Sequence, residues 1–395
     1  MEPKNKNILI SGAGIAGLTA AYWMKQYGFQ PIVVEKAPKL REGGYMIDFW
    51  GEGFEVAEKM NIIAALKEKH YDIPEITFVN NKGKRVGGFN IQKLRALIQY
   101  RHLNMLRGEL AKVLYHYVQN EIGFIFGNSI TAIEQSTNEV AVTFKDGQQR
   151  NFDLVIGADG LHSAVRRLVF GAEMQYIKHL GYYVSSFTID NYTGNPHIFQ
   201  SITVRGKWAG IYSMAKNRLA TFFIYKSNNT GDQHRNIEVQ QDRLRETFKN
   251  VGWQCPVLLQ KMPAAGDFYF DEVSQIVMPE WAKGRVALVG DASQCVSLIA
   301  GKGAALAMAG AYILAGELKK SAGDYVSAFH CYQKKIKPEA ERMQKLGRDY
   351  APSFVPDTAF GIWKRNTFTN LMFLPLVSKW FIKQFLSERL KLEEY

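Results

Sequence analysis

Short apolar runs that stop abruptly at glycine mark the start of the chain. Residues 7–11 (Asn-Ile-Leu-Ile-Ser) read as a buried strand ending directly in glycines. Residues 16–27 read as a helix, with Gly28 placed to stop it, and 31–35 form a second apolar strand. Strand, glycine-rich turn, helix and strand in this order predict two parallel strands joined by a right-handed crossover. Residues 52–60 and 104–118 also read as helices. Between them, 76–80 and 84–89 flank Asn81-Lys82-Gly83, a hairpin signal, and 140–145 and 149–156 flank a second turn at Asp146-Gly147.

The pattern changes from about residue 176 to 275. Aromatic and β-branched runs at 182–189, 198–204, 209–214 and 220–225 predict a mostly antiparallel sheet. Residues 285–289 return as a short buried strand, followed by helices at about 303–319 and 324–346. Strand-helix alternation resumes after the sheet, so the two units are expected to be interwoven along the chain.

Composition narrows the partners. The 395 residues are 47% hydrophobic and 22% charged, an ordinary globular balance, with a formal net charge of +12. That charge favours anionic ligands or an anionic surface. Lys and Arg are scattered, and no zinc-finger, RNP or basic-zipper pattern points to nucleic acid. Cys255, Cys295 and Cys331 are too widely spaced for a disulfide framework, and the histidines show no metal-ligand spacing. The amino-terminal residues lack the apolar stretch of a signal peptide, so a cytoplasmic, monomeric protein without a metal is the expectation.

The first candidate chemistry is Gly12-Ala13-Gly14-Ile15-Ala16-Gly17, a G-x-G-x-x-G placed between a strand and a helix. Gly12 permits the tight turn, Gly14 lets backbone approach a pyrophosphate, and Gly17 allows helix and strand to pack closely. Glu35 ends the second strand, where a carboxylate accepts hydrogen bonds from ribose hydroxyls and repels a 2′-phosphate. FAD or NAD is therefore expected here rather than NADP. Two later stretches repeat the strand-to-glycine pattern: Gly157-Ala158-Asp159-Gly160 after 153–156, and Gly290-Asp291 after 285–289.

The order G-x-G-x-x-G, then Asp-Gly, then Gly-Asp resembles the group A FAD-dependent monooxygenases of the p-hydroxybenzoate hydroxylase fold. Within that group the chain is most similar to the tetracycline destructases, through Arg41-Glu42-Gly43-Gly44-Tyr45-Met46-Ile47-Asp48, Leu106-Arg107-Gly108-Glu109-Leu110 and the run 309–318. The resemblance implies an α/β protein: a Rossmann-like FAD-binding domain, an interwoven, mostly antiparallel substrate sheet, and C-terminal helices. The expected division assigns 1–75, 100–175 and 276–345 to the FAD-binding domain, 76–99 and 176–275 to the substrate domain, and 346–395 to a helical segment.

It also implies roles. Asp291 would bind the FAD ribityl or pyrophosphate region, and Arg107 its phosphate and ribityl chain. Asp159 and Gly160 would support the pyrophosphate and a transient nicotinamide, NADPH or NADH. Gly43 and Gly44 would let backbone pass the isoalloxazine, while Ala16, Lys36, Arg41, Asp48, Gly290, Gly303 and Ala304 complete the expected cofactor contacts. Leu298, Gly301, Lys302 and Gly303 would lie along the flavin's pyrimidine edge, where backbone amides and a helix N-terminus stabilise the reduced form. The implied chemistry takes O2 as co-substrate through a flavin C4a-hydroperoxide and hydroxylates an aromatic or polyketide-like molecule, tetracycline-type antibiotics among them.

The loop departs from the family pattern GDAAH-x-x-x-P-x-x-GQG-x-N. Leu298 replaces the proline, Lys302 the glutamine and Ala305 the asparagine. Lys302 either places a cation near reduced flavin or faces solvent. Leu298 and Ala305 keep open a flavin oxidase or reductase that inserts no oxygen, and the amphipathic C-terminus with the net charge keeps open a membrane-associated flavin protein with little turnover. Phe187, Phe199, Tyr212, Met214 and Phe222 are the candidate substrate surface. Residues 376–390 are amphipathic, with Trp380, Phe381 and Phe385 opposite Lys379 and Lys383. They read as a helix over the substrate entrance, an in-plane membrane anchor or routine packing.

Overall fold

The first strand, Asn7–Ser11, is apolar along its length because both of its faces are covered; Ile8, Leu9 and Ile10 are fully buried. The computed structural model describes residues 4–40, 45–228, 236–374, 377–378 and 389–395. In it this strand is interior to a six-stranded sheet. Gln30–Glu35 lies parallel on one side and Leu154–Gly157 on the other. Gly123–Phe126 and Val286–Leu288 extend the parallel sheet outward, and Ala282–Lys283 closes one edge antiparallel. Registers place Ser11 level with Val34 and Gly157, and Gly157 level with Leu288. The three glycine-bearing turns foreseen from sequence therefore leave one sheet edge side by side. The helices Ile15–Gln26 and Gly303–Lys320 pack together on this sheet.

A second sheet of eight strands is mostly antiparallel. Its core strands are Ile177–Ser186, Phe199–Val204, Lys207–Met214, Arg218–Lys226 and Tyr269–Ile276. The early hairpin, Glu75–Val79 and Arg85–Asn90, joins it through a parallel pairing with Phe199–Val204. Side chains alternate between the faces. One face carries Ile202, Ala209, Ile211, Leu219 and Phe223, and the helices Ile237–Phe248 and Cys255–Lys261 close it with Leu244, Phe248 and Leu258. The other face carries Phe199, Tyr212, Met214 and Phe222 and looks toward the ribbon of Met46–Trp50 and His102–Leu106.

Several expectations are corrected. Residues 104–118 are not one helix: His102–Leu106 is a fully buried strand, and the helix is Arg107–His116. His-Leu-Asn-Met-Leu has little strand character of its own, and the partner Met46–Trp50 selects it. Residues 149–156 are two strands. Gln149–Phe152 pairs antiparallel in a small sheet, and Leu154–Gly157 enters the parallel one. The change occurs at Asp153, whose carboxylate accepts from the Asn7 amide at 2.8 Å. The two helices inside 176–275 were hidden by the aromatic runs around them, and the expected helix at 324–346 continues as Tyr325–Phe354.

Among the described residues no helix is long and apolar enough to cross a membrane, and no cluster of His, Cys, Asp or Glu could hold a metal ion. The amphipathic stretch 376–390 falls largely outside the described residues.

Candidate functional site

The site grows from the shared sheet edge, where ligands of parallel α/β folds bind. Gly12 takes φ +107°, and a Cβ there would meet the Ala158 carbonyl at 2.6 Å. A Cβ on Gly17 would meet the Gly12 carbonyl at 1.9 Å. Gly290 takes φ +67°, and its Cβ would meet that of Ala16 at 2.7 Å. These glycines lock the three turns against one another. Gly14 behaves oppositely: a Cβ there meets nothing within 4 Å, and the same holds at Gly160, Gly301 and Gly303. Backbone at each of these positions thus faces open space with no side chain in the way.

Two helices begin on that space. Ile15–Gln26 has Gly14 as its N-cap and Gly303–Lys320 has Lys302. Neither has a side-chain cap or an acidic residue in its first turn, which for the second includes Ala304. Unsatisfied amides and aligned dipoles at both starts suit phosphate and an anionic ring edge. The Glu35 carboxylate accepts from the Ala13 amide and the Ala37 amide, each at 2.9 Å. It braces the glycine turn from the neighbouring strand end, beside exposed Lys36.

Arg107 begins its helix after the Met46-paired strand and sits 3.6 Å from Asp291. Tyr45 and Tyr269 stand with them, their rings 6.0 Å apart. The Arg107 side chain is 46% accessible although protein surrounds it, so it lines a recess rather than the outer surface. Burial pushes the Tyr45 hydroxyl up to about 12, with Arg107 opposing. Neither Tyr45 nor Tyr269 was given a role from sequence; the signal for Tyr45 was its place directly after Gly43-Gly44.

These residues fit FAD. Open glycines and the first helix start suit a pyrophosphate, Glu35 a ribose, Arg107 with Asp291 a ribityl-phosphate chain, and the second helix start the flavin's electron-accepting edge. Two expected contacts are corrected. The Asp159 carboxylate is turned inward, accepting from Ser163 Oγ and from the amides of Ala164 and Val165, so it shapes its turn rather than reaching the recess. Lys302 neither faces solvent nor stands free beside the flavin edge. It is 2% exposed, 2.8 Å from Glu52 Oε2, with its ammonium over the Trp50 ring. Arg41, Gly43 and Gly44 lie outside the described residues.

The loop before this helix is stiff without a proline. Ser297 adopts φ 72° and ψ 158°, a region that costs a non-glycine residue about 1–3 kcal/mol. Buried Gln275 and Gln344 hold it there by donating to the carbonyls of Val296 and Cys295. Leu298, Phe222 and Tyr269 then pack around one buried cluster, with Tyr182, Val184, Ile224 and Ile299 in it, on the aromatic face of the sheet. Of the candidate substrate residues, Phe199, Tyr212, Met214 and Phe222 share that face. Phe187 does not: it is 1% exposed and stacks on Phe223 behind the sheet, in the core closed by the two hidden helices.

Beside the Asp159 turn, His162 lies 2.9 Å from Glu173 and 3.6 Å from Asp271. Asp271, the stronger influence, and Glu173 raise its pKa to about 9. The folded value exceeds the unfolded one, near 6.5. Its contribution to stability is therefore complete below pH ~6.5 and vanishes as pH rises through about 9. Denaturation of wild type and His162→Gln should differ at pH 6 and converge by pH 10; an equal gap at both values contradicts this assignment.

Comparison with known proteins agrees with the geometry. The FAD binding domain family matches residues 5–343. A flavin-dependent monooxygenase of Legionella longbeachae is 38% identical over 353 residues, covering 89% of this chain and 90% of that protein. The crystal structures of the tetracycline destructases Tet(55) and Tet(51) superpose with TM-scores of 0.86 and 0.85 at 36% and 33% identity. Tet(55) is covered in full by the whole of this chain, and Tet(51) over 99% of its length by 98% of it. The fold, the nucleotide recess and these relatives together make the chain a member of the FAD-dependent monooxygenases.

Proposed function

We propose that the chain spends NAD(P)H and O2 to insert one oxygen atom into a planar aromatic or polyketide-like molecule, with tetracycline-type antibiotics the first candidates. Bound FAD supplies hydride acceptance and the reaction with oxygen. The observation that carries the reading is the aromatic face of Phe199, Tyr212, Met214 and Phe222, whose Phe222 shares a hydrophobic cluster with Leu298 of the turn before the second helix start. Partly exposed Phe199, Met214 and Phe222 offer an apolar wall, and buried Tyr212 backs it, its ring stacked on Phe199 with centroids 5.8 Å apart. Such a wall orients a fused-ring substrate and displaces water from the reacting edge. The 36% identity to Tet(55) over the full chain supports a tetracycline-like shape. Arg107, Asp291 and the two helix starts hold the cofactor, and the clamped Ser297–Leu298 turn keeps its substrate-facing side fixed.

The test is turnover of FAD-loaded protein with NADH and with NADPH, with tetracycline present and absent. The expected result is tetracycline-stimulated nicotinamide oxidation and a product heavier by one oxygen atom. Nicotinamide oxidation that yields only hydrogen peroxide, for tetracycline and for a panel of simple phenols, would replace this reading with an oxidase.

A further inference from the structure

We propose that Asp48 is the specificity-determining acceptor for the substrate, taking a hydrogen bond from a hydroxyl or ammonium group on a planar aromatic molecule. The proposal rests on the monooxygenase reading, names the group that its substrate must present, and moves Asp48 from the FAD contacts expected from the resemblance to the substrate side.

Asp48 shares a strand face with Met46, which packs in the aromatic cluster of Phe199, Tyr212, Met214 and Phe222. The Tyr212 hydroxyl accepts from the Met46 amide at 2.6 Å, and Asp48 is near enough for its charge to bear on that hydroxyl. The Asp48 side chain is 59% accessible even though protein closes around it, so it borders a hollow rather than bulk solvent. The geometry of its two oxygens is unequal. His102 Nε2 at 3.1 Å and Asn104 Nδ2 at 2.5 Å both meet Oδ1. Oδ2 has no partner among the described residues.

A second layer sets those two donors. Arg95, 5% exposed, directs Nε to His102 Nδ1 and Nη2 to Asn104 Oδ1, and reaches His70 and Asp72 with the rest of its fork. A guanidinium only donates. His102 Nδ1 must therefore accept, which leaves its hydrogen on Nε2 and aims it at Asp48. Asn104 is fixed likewise: its oxygen faces Arg95, so its amide nitrogen faces Asp48. Burial opposes ionisation of Asp48, yet the bonds from His102 and Asn104 with the Arg95 charge hold its carboxyl below the usual range. Folding alone is served as well by apolar packing as by such a network. What the network achieves is one ionised oxygen held in place beside an aromatic wall.

Two measurements decide it. In a crystal structure of FAD-loaded wild type, Oδ2 should border the aromatic hollow without touching FAD; an Oδ2 hydrogen bond to FAD overturns the proposal. Tetracycline affinity, read from bound-flavin fluorescence, should weaken about ten- to a hundredfold in Asp48→Asn, with FAD affinity unchanged. Equal tetracycline affinities, or a matching loss of FAD affinity, overturn it. The 4-dedimethylamino analogue separates the two donors: a gap between wild type and variant that persists identifies a hydroxyl, and one that closes identifies the ammonium. Should wild type bind no tetracycline at all, that substrate reading falls, while the FAD-loaded structure still decides the place of Asp48.

Discussion

Glu52→Ala is expected to lower the stability of the protein by about 3–5 kcal/mol, measured as a fall in the urea midpoint. The change removes the carboxylate 2.8 Å from Lys302 Nζ in a pair whose side chains are 1% and 0% accessible. The ammonium then stays buried with only the Trp50 ring, 4.1 Å away, to face it. A cation-π contact of roughly 2 kcal/mol does not replace a carboxylate in a dry site. The two helices are closely packed beside the pair: a Cβ on Gly53, next to Glu52, would stand 2.5 Å from the Ala305 Cα. The double variant Glu52→Leu/Lys302→Met removes both charges and should recover most of the loss. A single variant within 1 kcal/mol of wild type would show that water or a rotamer change reaches Lys302.

This pair also shows where sequence reading stops. Lys302 was visible as a departure at a glycine-flanked helix start, but its partner sits far upstream in an unremarkable Gly-Glu-Gly stretch. Only the packing of the helices Glu52–Lys59 and Gly303–Lys320 brings them together. The glycine turn of the first strand-helix unit was legible for the opposite reason. Gly12, Gly14, Gly17 and Glu35 act through local backbone geometry within one strand-turn-helix-strand unit, so spacing alone carries the signal. The later turns at Gly157 and Gly290 became legible through their order along the chain, and the register of Ser11, Gly157 and Leu288 explains why that order matters.

The substrate side was only half visible. Aromatic runs announced the second sheet but not which face each ring takes. Phe187 and Phe222 look alike in sequence, yet one stacks behind the sheet and the other lies on its front face, in the cluster that Leu298 also joins. The Arg95 network around Asp48 drew no notice from sequence, because its members come from four separate segments: 48, 70–72, 95 and 102–104.

Gly17→Ala is the second large effect. The new Cβ would stand 1.9 Å from the Gly12 carbonyl oxygen and 3.3 Å from the Ala158 Cβ. Backbone must move, and the parts that move are the helix start and the turn proposed to hold the pyrophosphate. Overpacking of this kind costs about 1–3 kcal/mol, and because the strain falls on the binding turn it should appear as a roughly ten- to hundredfold loss of FAD affinity. Gly14→Ala places its Cβ in open space, so it should fold like wild type and weaken FAD only through contact with the phosphates. Equal stability for both variants, with FAD retained by Gly17→Ala, would mean that the turn and helix are less tightly packed than they are here.

Calorimetric titration of deflavinated protein with FAD tests the centre of the account most directly, using wild type, Glu35→Ala and Asp291→Ala. Saturable, equimolar binding to wild type is predicted, with each alanine variant weaker by about tenfold or more, the worth of a hydrogen bond to a charged group. Absent binding, or one affinity shared by all three proteins, would contradict it.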